Sequence, residues 1–404
     1  MDTPHALPLF AGYDPVEAHG AVKPPIHLAS AFCFPSAEAA AARFRASHAG
    51  EAIPEEFIYS RLTNPTLEVA ERRLSAFDGA EESCLFSSGM AAISTAVLAW
   101  SGPDRAVWGV GSLYGGTDRL LFTVLPTWGI PVRRVAHLDA LDDALAETGA
   151  LPGVLYVETP GNPTMDVHDL RAAVAWARKH ERPDHPIRVC VDNTFLGPLL
   201  QRPLDLGADL VLYSATKYLG GHSDVVAGAC SGRAEAMVRV RSHRHLLGGV
   251  LDPFGAWLLA RSMETLEIRV LRQQETAEQV LAFLRTHPRV ARLRSVHPAD
   301  LDPVAADVQA AQTSGHGAML SFEVAGGREE AFAVLNRLKT VRLAVSLGST
   351  ESLATHPAST THSAIPAEER ARLGIGEGLI RLSVGLEPAD ALVSDLARAL
   401  DAQS

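Results

Sequence analysis

Lys217 follows the apolar run ADLVLYS and stands in SATKYLGGHSD, between two small hydroxyl residues and a glycine pair. A lysine just past the end of a buried strand is partly desolvated, which disfavours its charged form and frees its amine to act as a nucleophile. Asp192 closes a second apolar run, IRVCVDN. Alone, such a lysine more often snorkels to the surface and such an aspartate caps a turn. Together they meet one chemical need, because pyridoxal phosphate takes a lysine for its aldehyde and an acid for its pyridine nitrogen. A third stretch, FSSGMAA at 86–92, ends a strand in Ser-Ser-Gly and opens a helix. A serine N-cap beside a glycine that lets the backbone approach closely makes a phosphate cradle of exposed N–H groups. Ser214 and Thr216, flanking the lysine, could add hydroxyl donors to the same phosphate.

These residues need a scaffold that gathers strand ends. From about residue 64, helical stretches such as TLEVAERRLSAFDGA and SGMAAISTAVLAW alternate with short apolar runs: SCLFSS, RAVWGVG, PVRRVAHL, PGVLYVETP, IRVCVDN, ADLVLYSATK and VAGACSG. That alternation predicts a mostly parallel seven-stranded sheet covered by helices, an α/β fold that binds ligands beyond the carboxyl ends of its strands. Before it, residues 1–63 read as an arm. After the α/β domain at 64–258, a long helical segment spans 255–288. Strand-like AMLSFEVAG, a helix around 329–340, then VRLAVSLG and LIRLSVGLE follow, predicting a smaller C-terminal α+β domain at 259–404.

Composition excludes several classes. The 404-residue chain is 47% hydrophobic and 21% charged, an ordinary globular balance, and its net charge of −11 argues against a nucleic-acid surface. No stretch approaches the ~20 apolar residues of a membrane span, and the N-terminus carries no basic segment followed by a long apolar core. The four cysteines, Cys33, Cys84, Cys190 and Cys230, lie far apart with no CxxC pair. Cys84 and Cys190 sit in apolar strand contexts as expected for buried reduced thiols, which suits a cytoplasmic protein.

Eight motifs in order carry a resemblance: YSRLTNPT at 59, SSGMAA at 87, LYGGT at 113, ETPGNPT at 158, VDNTF at 191, SATKYLGGHSD at 214, VSLGSTESLATHPASTTH at 345 and RLSVGLE at 381. From about residue 18 to 390 the chain resembles the cystathionine-metabolism (Cys/Met metabolism) family of pyridoxal-phosphate enzymes, nearest to its methionine γ-lyase, cystathionine γ-lyase and cystathionine γ-synthase members. The resemblance implies fold type I, the aspartate aminotransferase-like α/β architecture. It implies that Lys217 holds the cofactor as a Schiff base and shuttles protons, and that Asp192 pairs with the pyridine nitrogen. Ser88, Gly89, Met90, Ser214 and Thr216 would hold the phosphate, and Tyr114 would stack on the ring and exchange a proton near the leaving group. Tyr59 and Arg61 correspond to a pair that reaches a neighbouring subunit's phosphate, so a homotetramer with shared sites is implied. Arg381 would clamp the substrate carboxylate with its bidentate fork, with Asn162 and Ser346 nearby.

The implied reaction is γ-elimination from a small sulfur amino acid or close analogue, giving 2-oxobutyrate, ammonia and the leaving group, with γ-replacement as the alternative. Animal members that cleave cystathionine at the γ position tend to carry acids immediately before the YSR tyrosine and the SLG serine; here those positions are Ile58 and Val345, which favours an apolar thioether. Methionine γ-lyases usually carry a cysteine where this chain has Gly116, and SHRHLLGGVLDP places His243, Arg244 and His245 where they carry a Lys-Asp pair. Both departures leave room for another leaving group. The acids of RASHAGEAIPEEF, just before YSR, are a further departure, either lining the mouth of the site or forming a solvated loop. Three rival readings fall short. Ser214-Ala-Thr-Lys217 reads SxxK, but Lys339-Thr340 is followed by valine rather than the glycine a penicillin-binding hydrolase needs. His243 and His245 lack a third metal ligand at suitable spacing. A regulator on the same scaffold would be expected to carry an appended DNA-binding module, and neither end reads as one.

Overall fold

The computed structural model describes residues 7–16, 18–49 and 57–401. The acids of the segment before YSR, at 51, 55 and 56, lie outside the described residues. All seven predicted apolar runs form strands of one sheet: β1 Glu82–Phe86, β2 Ala106–Val110, β3 Val132–Val135, β4 Pro152–Glu158, β5 Arg188–Asp192, β6 Leu210–Tyr213 and β7 Gly228–Gly232. Their order is β1-β7-β6-β5-β4-β2-β3, parallel throughout β6-β5-β4-β2-β3, with β7 antiparallel to both of its neighbours. Every residue of β4 is buried, as in a parallel sheet covered on both faces. Helix Gly89–Trp100 packs its apolar side chains against Cys84, Val107, Val154 and Leu212 in one core.

The C-terminal part forms a five-stranded sheet, β8 Val290–Arg294, β9 Met319–Val324, β10 Arg342–Leu343, β11 Leu353–Thr355 and β12 Leu379–Ser383, in the order β10-β11-β12-β9-β8. Two expectations change here. The long helical segment is two helices, Pro253–Met263 and Leu266–Thr286. The break falls at Glu264 and Thr265, where the Glu264 carboxylate accepts from Arg73 Nη1 at 2.9 Å and pairs with Lys23. Apolar periodicity continues on both sides of it, so the pattern hides the break. In the run VRLAVSLG only Arg342 and Leu343 are strand-paired, with Leu353 and Ala354, through bonds from the Arg342 and Ala344 N–H groups to the Ser352 and Ala354 carbonyls; two residues on, Ser346 adopts φ +93° and turns the chain out of extended conformation.

The stretch around Pro24 lies against the body, with Trp257 Nε1 donating to the Pro24 carbonyl at 3.1 Å. One core runs from the first helix of the α/β part, through Leu251 and Leu259, to Met319 and Leu347. Both parts therefore share walls around the cleft between them. Cys84, Cys190 and Cys230 are buried free thiols and Cys33 is exposed. Among the described residues no helix is long and apolar enough to cross a membrane.

Candidate active site

β5 and β6 are neighbours, with Asp192 paired in register to Leu212, so their carboxyl ends open on the same side. A cavity of about 600 Å3 lies there, lined by Lys217, Asp192, Tyr114, Ser88, Gly89 and Met90 from the α/β part. Ser214, Thr216 and Asn162 complete that wall, and Val345, Ser346 and Arg381 come from the C-terminal sheet and its loops. Twelve sequence-predicted residues thus meet in one space.

Lys217 follows β6 through a tight turn in which its N–H donates to the Ser214 carbonyl at 3.0 Å. Its Nζ donates to Ser346 Oγ at 2.7 Å. Burial, helped by the charge of Arg381, lowers the lysine from 10.5 to about 8. Asp192 is 6% exposed. Its Oδ1 accepts from the Thr194 N–H at 3.0 Å and hydroxyl at 2.6 Å, and its Oδ2 from the Tyr156 hydroxyl at 3.1 Å. No ion pair among the described residues includes Asp192, and burial pushes its carboxyl up. A buried acid without a cation is a seat for a protonated ring nitrogen supplied by a ligand.

Ser88 caps helix Gly89–Trp100, its Oγ accepting from the Ala91 N–H at 3.0 Å. A Cβ on Gly89 would stand 2.8 Å from Ser214 Cβ and 2.9 Å from its Cα, so only glycine lets the helix start lie against the lysine loop. Thr216 bonds the backbone of Ala227 in both directions, its hydroxyl donating to the carbonyl at 3.1 Å and accepting from the N–H at 2.9 Å. That anchors the turn carrying Lys217. The helix start, its capping serine and the Ser214 hydroxyl fit a phosphate group, whereas the Thr216 proton, expected to serve it too, is given to the Ala227 carbonyl.

Arg381, on β12 and 3% exposed, donates from Nη1 to Asn162 Oδ1 and from Nη2 to the Ser346 carbonyl, both at 3.0 Å. Burial works against its charge and lowers it to about 10, so the guanidinium stays protonated at neutral pH. It forms no ion pair among the described residues. Ser346 therefore serves two cations, Lys217 through its hydroxyl and Arg381 through its carbonyl, from a left-handed backbone that costs a non-glycine residue about 1–3 kcal/mol.

Sequence reasoning missed four contributors. Glu158 ends β4 beside Asp192, in register with it, and its Oε2 accepts from the Tyr114 N–H at 2.8 Å. Burial and the neighbouring Asp192 hold its carboxyl well above the usual range. Tyr156 and Thr194 hold Asp192, and Thr194 Oγ1 also accepts from the Ser214 N–H at 2.9 Å, tying the two strand ends together. His362, buried and lowered to about 4 by burial and by Arg381, contacts the Asn162 carbonyl through Nε2 at 3.1 Å. Glu158, Thr194 and His362 lie inside motifs already noted, and strand alternation places Tyr156 and Glu158 on one face.

Tyr59, Arg61 and Ile58 do not line the cavity of their own chain; Tyr59 is 44% exposed, and Arg61 donates to the His245 carbonyl. Gly116 contributes by contact, since a Cβ there would stand 2.6 Å from Tyr114 Cε1 and 3.1 Å from Met90 Sδ. His243, Arg244 and His245 sit on helix Ala234–Leu247 outside the cavity. Arg244 is a structural tie, donating to Glu71 Oε1 at 2.5 Å and to the Leu85 and Leu62 carbonyls. Burial and the adjacent arginines lower His245 to about 4.

A partly buried lysine, a buried acid without an ion-pair partner, a serine-capped helix start and a buried arginine without one, among the described residues, are the groups that a pyridoxal-phosphate enzyme calls for. The comparisons agree with this class. The profile of the family described as Cys/Met metabolism PLP-dependent enzyme matches residues 7–401. The L-methionine γ-lyase of Pseudomonas putida is 39% identical, with 100% of both chains aligned. The cystathionine γ-lyase of Bacillus subtilis is 37% identical over 98% of both chains. A crystal structure of cystathionine γ-synthase from Xanthomonas oryzae pv. oryzae superposes with a TM-score of 0.89 at 37% identity, over 99% of this chain and 98% of that one. The chain belongs to the Cys/Met metabolism family of PLP-dependent enzymes.

Proposed function

We propose that the chain catalyses γ-elimination from a sulfur amino acid of the methionine, homocysteine or cystathionine type. With water consumed, the products are 2-oxobutyrate, ammonia and the thiol released from Cγ. Bound pyridoxal phosphate supplies an electron sink for the charge left when protons are removed from the substrate. Arg381, held by Asn162 and Ser346 with N–H groups to spare, binds the substrate carboxylate and fixes its Cα near Lys217. Lys217, lowered to about 8, takes the proton from Cα and can return it further along the chain, while Ser346 Oγ holds the amine in place. Asp192 keeps the ring nitrogen protonated, and Thr194 and Tyr156 keep Asp192 oriented. Tyr114 exchanges a proton at the leaving sulfur from its place on the same cavity wall.

The observation that carries the reading is the meeting in one cavity of Lys217, uncompensated Asp192 and buried Arg381. Apolar Val345 on the cavity wall supports a thioether rather than a second zwitterionic arm, and Ile58 would do so only from a neighbouring copy. Because Tyr59 and Arg61 lie outside their own chain's cavity, the proposal includes a second copy that brings them to it, in a homotetramer. The arm at 1–63 is the part that crosses over, with the cofactor domain at 64–258 and the smaller domain at 259–404. Three buried free thiols suit a reducing, cytoplasmic setting. Lys217→Ala should lose both turnover and the visible absorbance of attached cofactor; retention of both would overturn the assignment.

A further inference from the structure

A second cavity of about 350 Å3 shares two wall residues with the first, Val345 and Thr360. Beyond them its walls are largely apolar, formed by Leu335 and Phe332 on helix Gly327–Arg337 and by Leu343 and Ala344 on the strip that runs into Ser346. Phe332, Leu343 and Val345 are exposed at 39%, 57% and 56%, a contiguous apolar surface at the mouth of an active site. Most polar groups in the walls are already engaged. His356 contacts Ser359 Oγ through Nδ1 and the Glu377 carbonyl through Nε2, both at 2.8 Å. The Thr360 hydroxyl pairs with Thr355 Oγ1 at 2.9 Å and the His356 carbonyl at 2.8 Å. Exposed Asn336 is the remaining polar side chain. A wall whose hydrogen bonds are spent rewards apolar ligand atoms and penalises polar ones.

We propose that this annex receives the far end of the substrate, so that the site takes L-amino acids whose γ-substituent is an apolar group several atoms longer than the methylthio group of methionine. The inference rests on the γ-elimination reading and names the substrate class of that same site. The shared wall selects this occupant: a substituent leaving Cγ past Val345 is directed at the annex, which that residue and Thr360 also line.

The test uses holoenzyme and two amino acids without a leaving group, L-norleucine and L-2-aminodecanoic acid, with affinity measured by isothermal titration calorimetry. Aminodecanoate should bind at least tenfold tighter than norleucine, since each buried methylene adds to affinity. Leu343→Asp and Ala344→Asp, both at exposed positions, should abolish that preference while leaving norleucine affinity within twofold. Equal affinities in the native enzyme, or a preference that survives both substitutions, would overturn the proposal; so would a change of oligomeric state in Leu343→Asp with the preference intact, which would make the strip a subunit contact. Turnover is scored separately as 2-oxobutyrate from S-hexyl-L-homocysteine and L-methionine. If neither yields it while the binding preference holds, the reaction reading falls and the annex stands.

Discussion

The lowered Lys217 permits a quantitative prediction. With its midpoint at about 8, roughly a tenth of the amine is neutral at pH 7, against about 0.03% for a lysine at 10.5, an advantage of roughly 300-fold in reactive form. Apoprotein mixed with pyridoxal phosphate in a stopped-flow spectrometer should capture cofactor at a rate that climbs with pH and levels off above about 8. Arg381 is the smaller of the two causes and burial the larger. Arg381→Gln should therefore move the midpoint upward yet leave it below 10.5. The same group shapes stability. Between about 8 and 10.5 the unfolded chain keeps a proton the folded chain has released, so apoprotein stability rises with pH across that window; below about 8 the burial penalty is fully present. A native midpoint at or above 10, or a downward move in Arg381→Gln, would refute the reasoning.

Two further outcomes follow from geometry. Gly116→Ala places a Cβ 2.6 Å from the present position of Tyr114 Cε1, so the ring must move, and kcat/KM should fall about 10- to 100-fold with cofactor content unchanged; undiminished activity would mean that the ring position is not used. Mixing Lys217→Ala protein with Tyr59→Phe protein and allowing subunits to exchange should restore activity above either parent. No restoration would confine Tyr59 to its own chain.

Legibility followed burial. Most strands of the main sheet read directly because they are short apolar runs bounded by turn residues, and β4 is buried along its whole length, whereas β3, VRRV, is the exception at the sheet's edge. Strand ends could be located, and with them Lys217 and Asp192. The small sheet was harder: β8 is the arginine-rich VARLR and β11 only three residues, so neither carries an apolar signature. The position of Ser346 was expected from its motif, but its left-handed backbone and its service to two cations arise from tertiary packing. Glu158 escaped notice because its worth depends on register with Asp192 across β4 and β5, which no single stretch displays. The cluster at 243–245 showed its difference from the family in sequence but not its setting: Arg244 is buried by its contacts with Glu71 and two carbonyls far away in sequence.

The central claim is the bond that breaks, and L-cystathionine contains both alternatives in one molecule. Purified holoenzyme should be incubated with L-cystathionine and, in parallel, L-methionine, and the keto acid identified by mass spectrometry. Release of 2-oxobutyrate from methionine, and from such cystathionine as is turned over, is the predicted result and marks cleavage at Cγ. Pyruvate from cystathionine, with no 2-oxobutyrate from either substrate, would contradict the account and mark cleavage at Cβ.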